Sequence, residues 1–179
     1  MKTAIQTASG RYFDFLRPEV RPEHVHEMAH ALSMECRFGG HCRVFYSVAQ
    51  HSVLTARLLP PELRLWGLLH DGCEAWLKDI PKPLKMLLKD YPALQERVQR
   101  AVADAFGLSW PEPPEVKAAE LRVTATERRD VMPEGHDDDG WAEYLAGSAP
   151  LDAPIVPWAQ STAKRQFLYA YRMETGIDP

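Results

Sequence analysis

Prolines cut this chain into segments of helical length. Fifteen are spread through 179 residues, and a proline inside a helix removes a backbone hydrogen bond and clashes with the preceding turn. Pro22-Glu23 opens a helix to about Cys36, and Gly39-Gly40 ends it. Ser47 to Leu59 is a second helix, stopped by Pro60-Pro61. Pro61 takes a first-turn position of a third, which runs towards Leu77. Pro81 and Pro83 break the chain before a short helix from Leu84. Pro92 opens a helix to about Phe106 with Leu94, Val98, Ala101, Val102 and Ala105 as its apolar stripe, and Gly107 ends it. Beyond the proline-rich connection from Trp110 to Pro114, Glu115 to Val131 is helical. Val156 or Pro157 to Gly176 forms a final amphipathic helix carrying Trp158, Phe167, Leu168 and Tyr171. Ile5 to Phe15, centred on Ser9-Gly10, reads as a short β-hairpin. Residues 133–157, with four prolines and the run His136-Asp137-Asp138-Asp139-Gly140, read as a solvated loop. The expected fold is mostly α: one domain over residues 1–179, a compact helical bundle with a short N-terminal β-hairpin.

Composition narrows the function. A chain of 179 residues, 45% hydrophobic and 26% charged, matches a soluble domain with one sizeable core. The net charge of −4 offers no broad basic face for a polynucleotide. Cys36, Cys42 and Cys73 form no C-x-x-C pair, and this odd count without an apolar leader points to a reducing cytoplasm. Residues 1–20 contain Arg11, Asp14, Arg17 and Glu19, and no stretch approaches the ~18 apolar residues of a membrane span.

The chemistry centres on His70-Asp71, which follows the apolar run from Leu65 to Leu69. A carboxylate among leucine and tryptophan is costly to bury unless it is paired or metal-bound. His51 lies in the helical pattern of Val48, Leu54 and Leu58, and Glu120 follows Ala118-Ala119 in the later helix. His51, His70, Asp71 and Glu120 thus come from three helical segments. Two imidazoles and two carboxylates suit a divalent ion (Mn, Fe, Co, Ni, Zn or Mg) with positions left for water and substrate.

On these residues the chain resembles the HD-domain metal-dependent phosphohydrolases, in particular the small bacterial and phage proteins related to 5'-deoxynucleotidases. The resemblance is carried, in order, by Cys36-Arg37-Phe38-Gly39-Gly40-His41, Tyr46-Ser47-Val48-Ala49-Gln50-His51, Leu68-Leu69-His70-Asp71, Asp79-Ile80-Pro81-Lys82-Pro83-Leu84-Lys85 and Val116 to Met132. It covers roughly residues 1 to 132. The resemblance implies a metal held by His51, His70 and Asp71. Its last ligand, usually Asp, falls on Glu120, with Asp130 as the alternative. It further implies Glu74 as acid/base group and Asp79 as a group orienting water or the leaving oxygen. Arg37, Phe38, His41, Lys82 and Lys85 are the implied substrate contacts. The implied substrate is a deoxynucleoside 5'-monophosphate or 5'-triphosphate, and the implied assembly a homodimer or larger homo-oligomer. A non-catalytic nucleotide-binding or scaffold protein on the same fold is the alternative.

A second motif competes. His26-Glu27-Met28-Ala29-His30 matches H-E-x-x-H, in which two histidines on one helix face bind zinc and the glutamate acts as base. The same residues also read as an amphipathic helix with Val25, Met28, Ala29 and Leu32 inward. Ser33 and Cys36 stand where the extended form carries Gly and His.

Overall fold

The computed structural model describes residues 3–135 and 139–179. The hairpin is present: β1 (Ala4–Gln6) pairs antiparallel with β2 (Tyr12–Asp14), Ile5 opposite Phe13, and Gly10 takes the left-handed φ of 82° that the turn requires. It docks through Phe13, whose ring stacks on Trp76 at 4.4 Å.

The remaining regular structure among the described residues is helical. The helices are α1 (Val25–Met34), α2 (Val48–Arg57), α3 (Pro61–Leu69), α4 (Glu74–Leu77), α5 (Lys82–Lys85), α6 (Tyr91–Ala105), α7 (Pro114–Asp130), α8 (Asp139–Leu145) and α9 (Gln160–Thr175). The main core lies between α1, α2, α3 and α9, where Met28, Leu32, Val48, Val53, Leu68, Leu69, Phe167 and Tyr171 are all buried. Each such side chain contributes roughly 1.5–3 kcal/mol of transfer free energy. On α9, Ala163, Phe167 and Tyr171 recur every four residues on the buried face, so its aromatic stripe is consumed by the chain's own core. A second cluster, Leu59, Trp66, Ala103, Val116 and Ala119, fixes α6 and α7 against the end of α3. Among the described residues no helix is long and apolar enough to cross a membrane.

Three segments depart from the sequence reading. The expected helix from Pro61 to Leu77 is two helices, α3 and α4, separated by a turn at His70–Cys73. The cause lies in α6: the buried Gln99 side chain accepts from the Cys73 N–H (2.9 Å) and donates to the Leu69 carbonyl (2.8 Å), serving the backbone on both sides of the break. Second, α5 begins at Lys82, not Leu84, because Pro83 falls in its first turn, where no helical N–H is needed. Third, residues 133–157 contain α8 and then an extended run tied to the body. Leu151 N–H donates to Thr126 and Ile155 N–H to Asp130, while Gln50 accepts from Trp158 N–H and donates to the Val156 carbonyl, each at 2.8 Å. These bonds are long-range, so no local pattern announces them. Of the His-Asp run, residues 136–138 lie outside the described residues.

The α2–α3 contact sets the distance between His51 and His70. Gly67 makes it possible: a Cβ there would lie 2.4 Å from Leu59 Cδ1 and 2.9 Å from the Ala56 Cα. Gly67→Ala is expected to lower stability by about 1–3 kcal/mol through overpacking, measured as an earlier denaturation midpoint. An unchanged midpoint would show that α2 and α3 separate freely.

Candidate metal centre and cleft

His51 projects from the middle of α2, whose start is capped by Ser47 accepting from the Gln50 N–H (3.2 Å). His70 and Asp71 sit on the turn after α3. The two imidazole Nε2 atoms face each other at 3.2 Å, and Asp71 Oδ2 lies 3.2 Å from the His70 Nε2 and 3.7 Å from that of His51. Glu120, halfway along α7, completes the arrangement: one ligand atom each of His51, His70 and Glu120 lie within 4.8 Å of one another. Those three side chains can hold a metal ion, and Asp71 borders the same point. Asp130 does not take part; its carboxylate binds Arg129 and the Ile155 N–H.

The far side of each ring supports this fit. His70 Nδ1 faces the Gly67 carbonyl at 2.8 Å, and a carbonyl only accepts, so Nδ1 carries the hydrogen. His51 Nδ1 faces Glu127 Oε1 at 2.6 Å. Burial opposes the charge on Glu127, but Arg37 and His51 hold its pKa down to about 2, so Nδ1 donates here also. Neutral, the two rings would direct two lone pairs at each other across 3.2 Å, and a cation between them removes that conflict. Without metal the cation is a proton. Burial works against a charged His70, yet the Asp71 carboxylate raises it to about 10, and Asp71 is held well below the usual carboxylate range despite its burial.

A cleft of about 490 Å³ opens beside this centre. Of the residues expected there, His70, Asp71, Glu74, Asp79, Arg37, Lys82, Lys85 and Glu120 all line it. Glu74 is buried: Oε1 accepts from Lys85 Nζ at 3.1 Å, and Oε2 has no partner among the described residues. Burial, then the nearby Asp71 and Asp79 charges, push the Glu74 pKa well up from the ordinary carboxylate range, favouring its protonated form. Arg37 is buried with its guanidinium among Glu127 (3.2 Å), Asp71 (3.6 Å) and Asp79 (3.7 Å). Asp79 also accepts from the Phe38 N–H at 3.3 Å, so it holds the Arg37–Phe38 turn.

Phe38 and His41 are not cleft-lining. Phe38 adopts a left-handed φ of 55° and turns its ring edge-on to Trp141 of α8 at 5.9 Å. His41 stands exposed on the following turn. The sequence reading missed Gln95, Gln99, Trp110, Glu112, Lys117 and Tyr144, which also line the cleft. It passed over them because they come from α6, α7, α8 and the Trp110–Pro114 connection, remote in sequence from the His-Asp pair. For Lys117 a local signal existed: it lies one turn before Glu120 and pairs with it at 2.6 Å.

The H-E-x-x-H residues have another job. Glu27 is buried and accepts from Thr7 and Ser9 hydroxyls (2.6 Å each), the Trp76 indole (2.9 Å) and Arg11 (3.2 Å). It tethers the hairpin to α1 and α4, with no free edge to act as a base. His26 and His30 are exposed, and no metal-holding group of three forms around them among the described residues.

No family model matches the chain. It is similar to YfdR of Escherichia coli (strain K12), an uncharacterized protein, at 38% identity over 165 residues, 92% of this chain and 91% of that protein. It is also similar to the uncharacterized protein RCAP_rcc00048 of Rhodobacter capsulatus, at 35% identity over 130 residues, 66% of each.

Because His70 holds a proton up to about pH 10 in the metal-free protein, metal binding must displace it. At pH 7.5 about one proton is expected to leave per ion bound, and affinity is expected to rise roughly tenfold per pH unit from 7 to 9. Calorimetry in two buffers of different ionisation enthalpy measures this. Metal uptake with no proton release would contradict the assignment of His70 as a ligand.

Proposed function

The chain belongs to the family of Escherichia coli YfdR, and we propose that it is a metal-dependent phosphohydrolase acting on nucleotides, with phosphate monoesters favoured over triphosphates. The observation that carries this reading is a divalent-ion donor set, His51, His70 and Glu120 with Asp71, beside a cleft that also takes in the buried carboxyl group of Glu74, whose pKa is pushed up. A divalent ion held there would supply Lewis-acid charge to phosphoryl oxygens and acidify an attacking water. Manganese, cobalt, zinc, iron, nickel and magnesium all suit a mixed imidazole and carboxylate set to differing degrees.

The remaining chemistry belongs to side chains. Glu74, with its pKa pushed up and Oε2 unpartnered among the described residues, is placed to give a proton to the departing sugar oxygen as the phosphorus–oxygen bond breaks. Lys85 keeps that carboxyl oriented through Oε1. Arg37 braces Asp71 and Asp79, and through Glu127 reaches the His51 ring, so it stiffens the site as well as facing the cleft.

Charge favours a small phosphate. The lining cations are Arg37, Lys82, Lys85 and Lys117, against the carboxyl groups of Asp71, Glu74, Asp79, Glu96, Glu112 and Glu120. Arg37, Lys85 and Lys117 are each already paired with a carboxyl group. A divalent ion added to this balance matches the dianion of a monoester. A triphosphate would bring two further charges with few groups to receive them. The same shortage of free cations, with a net charge of −4, disfavours long nucleic acid. The preference for a deoxynucleotide rests on the family resemblance described under Sequence analysis, as do a homodimeric assembly and a cytoplasmic setting.

A panel of ribo- and deoxynucleotides assayed with Mn, Co, Mg and Zn, with phosphate, diphosphate and triphosphate products separated, tests the reading. Release of inorganic phosphate from monophosphates is expected. Cleavage of oligonucleotides or casein faster than every mononucleotide would overturn it. Glu74→Ala should keep its metal, measured by elemental analysis, while hydrolysis falls ~100- to 10,000-fold. Full turnover in metal-replete Glu74→Ala protein would remove Glu74 from the chemistry.

A further inference from the structure

Two lysines converge on one aromatic ring at the edge of the cleft. Lys82 of α5 places Nζ 4.7 Å from the Tyr144 ring centre, and Lys117 of α7 places Nζ 6.0 Å from it. Tyr144 arrives from α8, so three separate elements meet at this point. Its ring is itself braced, since Trp141 packs edge-on against it at 6.2 Å and against Phe38 at 5.9 Å. Lys117 also bonds Glu120 at 2.6 Å, which carries the pair to the edge of the metal donor set. Among the described residues Lys82 has the ring face but no carboxylate at ion-pair distance.

Gathering two ammonium groups over one ring is unfavourable by their mutual repulsion. The ring face offsets part of this, and Glu120 offsets part for Lys117 alone. An anion contacting both ammonium groups relieves the remainder. We propose that Lys82, Tyr144 and Lys117 form an anion clamp that binds the phosphoryl oxygens turned away from the metal, with Lys117 as a direct substrate ligand and Tyr144 as the positioning residue that spaces the two ammonium groups. This rests on the phosphohydrolase reading and adds to it the groups that hold the phosphate's outer face. A carboxylate ligand of the metal and a lysine ligand of the phosphate then share a single turn of α7. Glu120 would help hold the ion, and Lys117 beside it would present its ammonium to the phosphate.

Inorganic phosphate titrated calorimetrically into the manganese-loaded protein tests the clamp, with metal content measured in every sample. Lys117 is half exposed, so Lys117→Met should fold as the wild type does. Phosphate affinity is expected to fall about tenfold or more in Lys117→Met, as befits loss of a charge-assisted hydrogen bond. Bound manganese should be undiminished, because removing a nearby cation does not weaken a cation site. Lys117→Arg should recover most of the affinity, and Tyr144→Leu should lose it in part while melting at the wild-type temperature. Unchanged phosphate affinity in Lys117→Met would overturn the proposal. So would loss of manganese in Lys117→Met, which would make Lys117 a brace for Glu120 and nothing more. If the manganese-loaded wild type itself bound no phosphate, the phosphohydrolase reading would fall together with the clamp.

Discussion

Glu127 is a carboxylate with no solvent exposure, and the site hangs from it. One oxygen takes the His51 ring at 2.6 Å and the other takes Arg37 at 3.2 Å. Burying such a charge is tolerable only because both partners are present, and removing one of a buried set typically costs about 3–5 kcal/mol. The interaction therefore fixes more than itself. It sets which His51 nitrogen is free and holds Arg37 among Asp71 and Asp79, which in turn anchors the strained Phe38 turn. An ion pair that adds little net stability compared with an apolar core here decides the geometry of the candidate metal centre.

The helices were legible because prolines, glycines and apolar spacing are local signals. Gly107 does end α6, with a φ of 66°, and α2 does begin at Ser47, which caps it. The donor set was legible for a different reason: histidine and aspartate in apolar surroundings need an explanation wherever they occur. The break at His70–Cys73 was not legible, because its cause, Gln99, lies 26 residues beyond Cys73 and resembles any helix glutamine. Phe38 lies off the cleft lining because its ring turns edge-on to Trp141 of α8, a partner remote in sequence. Helix α8 went unseen within a proline-rich, acidic stretch whose two aromatics, Trp141 and Tyr144, find their partners on other elements.

The two motifs containing histidine and acid illustrate how context decides chemistry. Glu27 and Glu74 are both buried carboxyl groups. Glu27 accepts from hydroxyls, an indole and a guanidinium, which hold it ionised against its burial. Glu74 has one lysine and two neighbouring carboxylates, and its pKa moves the other way. Donors surrounding the first make a tether, and charges crowding the second favour its protonated form.

Gln50 precedes His51 on α2, and its amide grips the chain at Val156 and Trp158, just before α9 closes over α1, α2 and α3. The helix that bears a candidate metal donor is thus clasped by a segment made long after it, beginning 106 residues further along the chain. On a ribosome, His51, His70 and Glu120 emerge well before the segment that seats their scaffold. Domains fold as units once their contacts are available. The donor residues therefore gain the full support of their scaffold only once the segment through α9 has been made.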